Sequence, residues 1–245
     1  MKGSIRSLLR GLSTVLIVAG LLLLADAAIT LLWQEPVSAL IAHREQSRLA
    51  DQLRTLDRLS AEDARALAAV RSGRLAELAR REQRRVGAGH ALGRIDLPTL
   101  GRSYVIVQGT NSGDLRKGPG HYPNTPLPGE PGTVALAGHR TTYLAPFKTI
   151  NDLHAGDPIV LRMPYATFTY RVQESRIVLP SALWVTRDVG YPRLVLSACH
   201  PLYSAAKRIV VFAKLAAPIE AASRDDSKST TATSTASATI TTASQ

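Results

Sequence analysis

The pattern of apolar and polar positions divides the chain into four textures. From Gly11 to Trp33 the run GLSTVLIVAGLLLLADAAITLLW carries one charge, Asp26. A helix of about 20 apolar residues crosses a bilayer. Lys2, Arg6 and Arg10 precede the run and predict a cytoplasmic N-terminus with the remainder outside. Ala25-Asp26-Ala27 also fits a cleaved leader. The apolar run resumes through Leu32 and Trp33, however, and this favours a retained single-pass anchor. Residues 35–86 form the second texture. Pro36 suits a first helical turn. Leu40, Ile41, Leu49, Leu53, Leu56, Leu67, Val70, Leu75 and Leu78 recur at mixed three- and four-residue steps. Ser60 with Asp63 predicts a fresh N-cap, hence a break near Leu59. Heptads are not sustained, so the segment reads as a charged helical stalk rather than a coiled coil.

Gly87, Gly89 and Gly93 mark a hinge. From Arg94 to Pro218 short β-rich runs alternate with Gly/Pro turns: SYVIVQG, GTVALAGH, DPIVLRMP, ATFTYRVQ, SRIVLP, RLVLSAC and RIVVFAKL. This texture predicts a mainly β barrel or sandwich. Short helices are expected near Ala145–Leu153 and Asp114–Lys117. The tail, Glu220–Gln245, is rich in Ser, Thr and Ala, has no periodicity and reads as disordered.

Charge and cysteine content narrow the class. The 245 residues carry a net charge of +11, but the charges are spread and no basic stripe interleaved with aromatics appears, so no nucleic-acid partner is expected. Anionic lipid or cell wall accounts for the charge equally well. One cysteine excludes an internal disulfide framework and a multi-cysteine metal site. No metal or other cofactor is expected.

The chemistry centres on LVLSACHPLYSAAKRIVVF, Leu194 to Phe212. Cys199 closes an apolar, strand-like run. A nucleophilic thiol needs a base or cation beside it, because the thiolate is the reactive form. His139 closes another such run, GTVALAGHR, and Arg208 opens the strand after Cys199. Three such side chains at strand ends suit acyl transfer, with Arg208 free to hold the oxyanion. A lone cysteine is also often a small buried hydrophobe.

At these residues the chain resembles a sortase, the cysteine transpeptidase of Gram-positive surfaces. That family's signature is TLxTC, and here Val195 and Ala198 replace the two threonines. The surrounding LRKGPGHYPNTPLPGEPGTVALAGHRTTYLAPFKTINDLHAGDPI resembles the class E sortases of actinobacteria, as does Arg208 following Cys199. The resemblance covers about residues 92–216. It implies an eight-stranded sortase barrel with catalytic His139, Cys199 and Arg208. It further implies cleavage of a sorting signal between Thr and Gly through a Cys199 thioester, resolved by an amine of lipid II or peptidoglycan. The expected partners are secreted proteins with C-terminal sorting signals, the acceptor amine and the membrane. Class E enzymes favour LAxTG over LPxTG, and Tyr143 occupies the position linked to that choice. Leu144 stands where the family often has Gly. Tyr143, Leu144, Ala198 and Trp184 are the candidate substrate-binding residues, and barrel packing stays open for Trp184.

The expected organisation is therefore an anchor over 1–34, a stalk and linker over 35–91, a catalytic domain over 92–218 and a tail over 219–245. With ordinary values near 8.5 and 6.5, thiolate and imidazolium coexist in on the order of 1% of molecules at neutral pH. Two alternatives stand beside the transpeptidase: a pilin-polymerising enzyme of the same fold, and an anchored scaffold domain of weak activity. His121, His200 and Arg140 read as structural, and His43 and His154 as solvated.

Overall fold

The computed structural model describes residues 11–25, 36–67, 73–216 and 220–221. Three helices precede the strands: α1 (11–25), α2 (Pro36–Leu67) and α3 (Gly73–Arg85). The membrane-spanning run expected over Gly11–Trp33 lies only partly within the described residues, which hold its portion 11–25. Among the described residues no helix is long and apolar enough to cross a membrane. Helix α1 does expose Leu16, Leu22 and Leu24. Lys2, Arg6, Arg10 and Asp26 lie outside the described residues. The break expected near Leu59 is also absent, since α2 runs unbroken to Leu67. Ser60 has helix on both sides, and the intrahelical ladder prevails over a local capping signal.

The strands are β1 (Ala91–Leu97), β2 (Arg102–Gln108), β3 (Gly120–His121), β4 (Thr133–Ala137), β5 (Pro158–Met163), β6 (Ala166–Val178), β7 (Arg193–His200), β8 (Lys207–Leu215) and β9 (Glu220–Ala221). They form one sheet in the order β5-β1-β2-β3-β4-β7-β8-β6-β9, and a β5–β6 pairing closes eight of them into a barrel. The mainly β, eight-stranded expectation holds. The two runs ATFTYRVQ and SRIVLP belong to one long strand, β6, whose register shifts between Val172 and Glu174. The glycine-marked segment contributes β1 rather than a free hinge. β1 carries its own irregularity between Ala91 and Gly93. The tail's Glu220–Ala221 pairs with β6, and the rest of the tail lies outside the described residues. A short helix, α4 (Ser112–Leu115), and a 3-10 turn at Ile150–Asp152 sit where helices were expected.

Side-chain alternation along each strand separates two apolar surfaces. Leu194, Leu196 and Ala198 of β7 point into the barrel with Leu136, Phe147, Ile150, Phe168, Ile209 and Val211. Val195 points the other way and packs with Ala135, Val210 and Phe212, flanked by Tyr122, Val178 and Val185.

The segment read as a stalk packs on this barrel. Leu49 and Leu53 of α2 bury against Ala91, Val105 and Val107, worth roughly 1.5–3 kcal/mol for each leucine fully removed from water. Gln46 acts as a clamp. Its Nε2 donates to the carbonyls of Val105 (3.0 Å) and Lys117 (2.6 Å), and its Oε1 accepts from Val105 N (2.8 Å). A Cβ on Gly118 would run into Gln46 Nε2 and Val105 O, so only glycine permits this approach. α3 places Ala79 in the main core, and Gln83 Nε2 donates to the carbonyls of Pro123 and Thr125.

Candidate active site

Strand register assembles the three candidate catalytic residues. β4 and β7 run parallel, with Ala137 paired to Ser197. Gly138 N donates to Ser197 O at 3.0 Å, which carries the ladder past the end of β4. Two residues further along each chain, His139 comes level with Cys199. β7 and β8 run antiparallel, with Cys199 paired directly to Arg208. The period of two puts Cys199 on the face of Val195, not on the face of Ala198. Cys199 and Arg208 therefore share one level and one face of β7 and β8, and His139 follows the end of β4 at the same level.

Each is held differently. Gly138 lets the end of β4 lie close to Phe147, since a Cβ there would sit 2.5 Å from the phenyl ring. Phe147 N donates to His139 O at 3.0 Å. The His139 ring lies 5.2 Å from the Tyr143 ring, tilted by 43°. Burial lowers the His139 pKa, and the nearby Arg116 charge lowers it further. Both effects favour the neutral imidazole. Cys199 is half-buried and free. The Arg208 guanidinium donates to the carbonyls of Ala205 and Lys207, both at 3.0 Å.

Arg140, next to His139, is buried and does structural work. It donates to Cys199 O (3.4 Å), to Lys148 O, to Asn151 Oδ1 (2.8 Å) and to His200 Nδ1 (3.2 Å). It thus ties the end of β7 to the segment after β4, and its contact with His200 matches the structural reading of both residues. His121 is fully buried. Its Nδ1 lies 2.9 Å from Gln108 Oε1, and its Nε2 lies 3.1 Å from Thr125 Oγ1 and 3.2 Å from Pro126 O. Burial pushes its pKa down to about 4, so it is a neutral loop anchor.

The four candidate substrate-binding residues part company. Tyr143 joins the site through its contact with His139. Leu144 follows it in a run of three left-handed residues, with φ of 50° at Tyr143, 64° at Leu144 and 40° at Ala145. Such a conformation costs an L-residue roughly 1–2 kcal/mol, which explains why glycine suits position 144. Trp184 stacks on Phe212 with centroids 6.0 Å apart. It is still 40% exposed, so it packs on the barrel and also lines the face shared with Cys199. Ala198 is a correction. It is 3% exposed within the main core, on the opposite side of β7, and cannot touch a ligand on the Cys199 face.

Sequence reasoning missed Arg116, which caps α4. Its guanidinium carbon lies 5.6 Å from the centre of the Tyr143 ring. It lies within the family-like segment LRKGPGHYPN, but nothing in that segment singled it out, because its approach to Tyr143 depends on the fold. A cleft of about 500 Å³ beside α2, lined by Gln52, Thr55, Arg85, Val86, Gly87, His90 and Ala91, involves none of these residues. Among the described residues no group of three or more His, Cys, Asp or Glu side chains gathers as a metal site would need.

Known proteins resemble the chain over the region that holds these residues. Residues 95–216 match the family described as Sortase domain. Sortase D of Bacillus subtilis (strain 168) is 33% identical over 130 residues, 51% of this chain and 64% of that protein. The structure of sortase E from Streptomyces avermitilis is similar at 32% identity and a TM-score of 0.50, covering 54% of this chain and 91% of that one. The SrtF sortase from Corynebacterium diphtheriae is similar at 26% identity and a TM-score of 0.54, covering 59% and 93%. The chain spans 41–64% of the length of the curated relatives it matches.

Proposed function

The chain belongs to the sortase family, and from that premise we propose that it is a cysteine transpeptidase of class E type acting on LAxTG-like sorting signals. The observation that carries this reading is the register that pairs Cys199 with Arg208 and brings the end of β4, just before His139, alongside β7.

The proposed chemistry balances at each step. The Cys199 thiol gives its proton to the neutral His139 imidazole as Sγ attacks the threonine carbonyl carbon. Arg208 swings from the carbonyls of Ala205 and Lys207 to the oxyanion. The tetrahedral species collapses, the C–N bond to glycine breaks, and the imidazolium returns its proton to the departing amine. A thioester remains. An incoming amine then attacks its carbonyl carbon and loses its proton to His139, the C–S bond breaks, and the imidazolium returns the proton to the departing Cys199 thiolate. Trp184, 40% exposed and stacked on the buried Phe212, offers a surface for the signal's small apolar residues. Tyr143 supports the LAxTG preference, because its ring borders His139. We place the site outside the cytoplasm and near the membrane, supported by the basic residues ahead of an apolar stretch and by the exposed leucines of α1. Secreted proteins and a cell-wall amine are the proposed partners.

The test is the full chain with an LAxTG peptide, an LPxTG peptide and a small amine, beside Cys199→Ala, read by mass spectrometry. A thioester and an amide product, formed faster from LAxTG and absent in the variant, are expected. Products linked only through a pilin lysine would move the polymerase reading ahead. No thioester with either peptide would move the scaffold reading ahead.

A further inference from the structure

The order of strands puts Arg116 and Cys199 on opposite sides of His139. Arg116 lies on the connection between β2 and β3. In the sheet β3 neighbours β4 on one side, and β7 neighbours β4 on the other. The exposed Trp184, stacked on Phe212 of β8, lies on the β7–β8 side, where the acyl-donor peptide would rest. Arg116 therefore flanks His139 on the side left for the second substrate.

Arg116 is presented there by its neighbours. Asn111 caps α4 by accepting from Asp114 N at 2.9 Å. Lys117 is fixed at both ends, its Nζ donating to Gly89 O (3.0 Å) and its carbonyl accepting from Gln46 (2.6 Å). Arg116 itself is exposed, and its guanidinium lies over the Tyr143 ring. Among the described residues it takes part in no ion pair. Arg116 and Arg208 flank this site as cations, while the charge of Arg140 is offset by the nearby Asp152. A planar guanidinium stacked on an aromatic ring keeps its N–H edge open to a carboxylate.

We propose that Arg116 is a specificity-determining residue that binds a carboxylate carried by the amine nucleophile. The inference rests on the transpeptidase reading above. A bound carboxylate would orient the amine toward the thioester with His139 between them as base. It would also offset the charge that opposes imidazolium formation. Arg116 would thus bias the second step toward amines bearing an acid group and against amines without one.

The experiment compares glycine, diglycine and triglycine with their C-terminal amides as acceptors for the full chain, using an acyl-donor peptide with no acidic side chain. The apparent KM for at least one free acid should lie about tenfold below that of its amide. The gap should vanish in Arg116→Gln and partly persist in Arg116→Lys. Equal KM values for acid and amide at every length, or a gap that survives Arg116→Gln, would overturn the proposal. A donor peptide with Asp at its variable position forms a second arm. If Arg116→Gln raises the KM of that peptide and leaves the amine KM untouched, the carboxylate belongs to the peptide and the assignment to the amine fails. If the chain turns over no peptide, the transpeptidase reading fails separately. In that event Cys199→Ala is titrated with triglycine and its amide while the His139 imidazole is followed by NMR. A shift with triglycine alone, lost on adding Arg116→Gln, supports the contact, and identical behaviour of the two ligands overturns it.

Discussion

Arg208 stands directly across the β7–β8 ladder from Cys199, yet its guanidinium is turned onto the carbonyls of Ala205 and Lys207, each 3.0 Å away. Cross-strand partners share a face and lie within side-chain reach. One rotation of the arginine side chain therefore exchanges two loop carbonyls for the oxyanion of the tetrahedral species. Losing an oxyanion donor costs about 10²–10³ in kcat. Arg208→Ala should show that loss in the peptide-cleavage assay, with an unfolding midpoint close to that of the parent. Arg208→Lys should recover little, because an ammonium lacks the forked geometry. A variant with near-normal kcat but lowered stability would make Arg208 a loop cap only.

Leu144 carries a φ of 64° between two other left-handed residues. Glycine adopts this region without a Cβ clash, but adds entropy to the unfolded chain. The relieved strain is the larger of the two, so Leu144→Gly should raise stability by up to about 1 kcal/mol in urea unfolding. A loss of similar size would show that the leucine side chain contributes more than its backbone costs.

His121 makes stability depend on pH in a definite direction. Its pKa falls from 6.5 to about 4 on folding. Below pH 6.5 the unfolded chain binds a proton that the folded chain refuses until about pH 4. Stability is therefore full above 6.5, falls as the pH drops through that window and levels off below it. The loss amounts to about 3 kcal/mol. His139, also lowered by burial, acts with the same sign. Urea denaturation between pH 7.5 and 4 should show the decline, and His121→Gln should flatten most of it. An unchanged slope in the variant would assign the pH dependence elsewhere.

Gln46 joins α2 to the barrel through three hydrogen bonds to main-chain groups. In Gln46→Ala the amide of Val105 and the carbonyls of Val105 and Lys117 lose their partner. Leaving such partly buried groups unpaired should cost about 1–3 kcal/mol. Hydrogen exchange should quicken first at residues 103–119. If exchange stayed unchanged there, α2 would be a passenger on the barrel and not part of it.

Much of this protein was legible in its residues. The runs that became β2, β4, β5, β7 and β8 are short, apolar and β-rich, and turn residues separate them. Cys199, His139 and Arg208 each sit at the end of such a run, so they could be named as candidates before their positions were known. Other elements left no trace because their alternation is broken or too short. β1 shifts register between Ala91 and Gly93, which moves its apolar residues off a simple period of two. β3 has two residues. The helices over 36–85 read as a stalk because their apolar positions follow no steady heptad. They need none, since their partner is a barrel surface and not another helix.

The sequence by itself determined a mainly β domain, because that depends on local texture, and its family resemblance named the barrel and the candidate reacting side chains. Only the tertiary structure decided which side of β7 each residue faces, that Ala198 lies in the core while Cys199 lies in the site, and that Arg116 borders His139. Those facts depend on strand order and register, which arise from contacts between segments far apart in the chain.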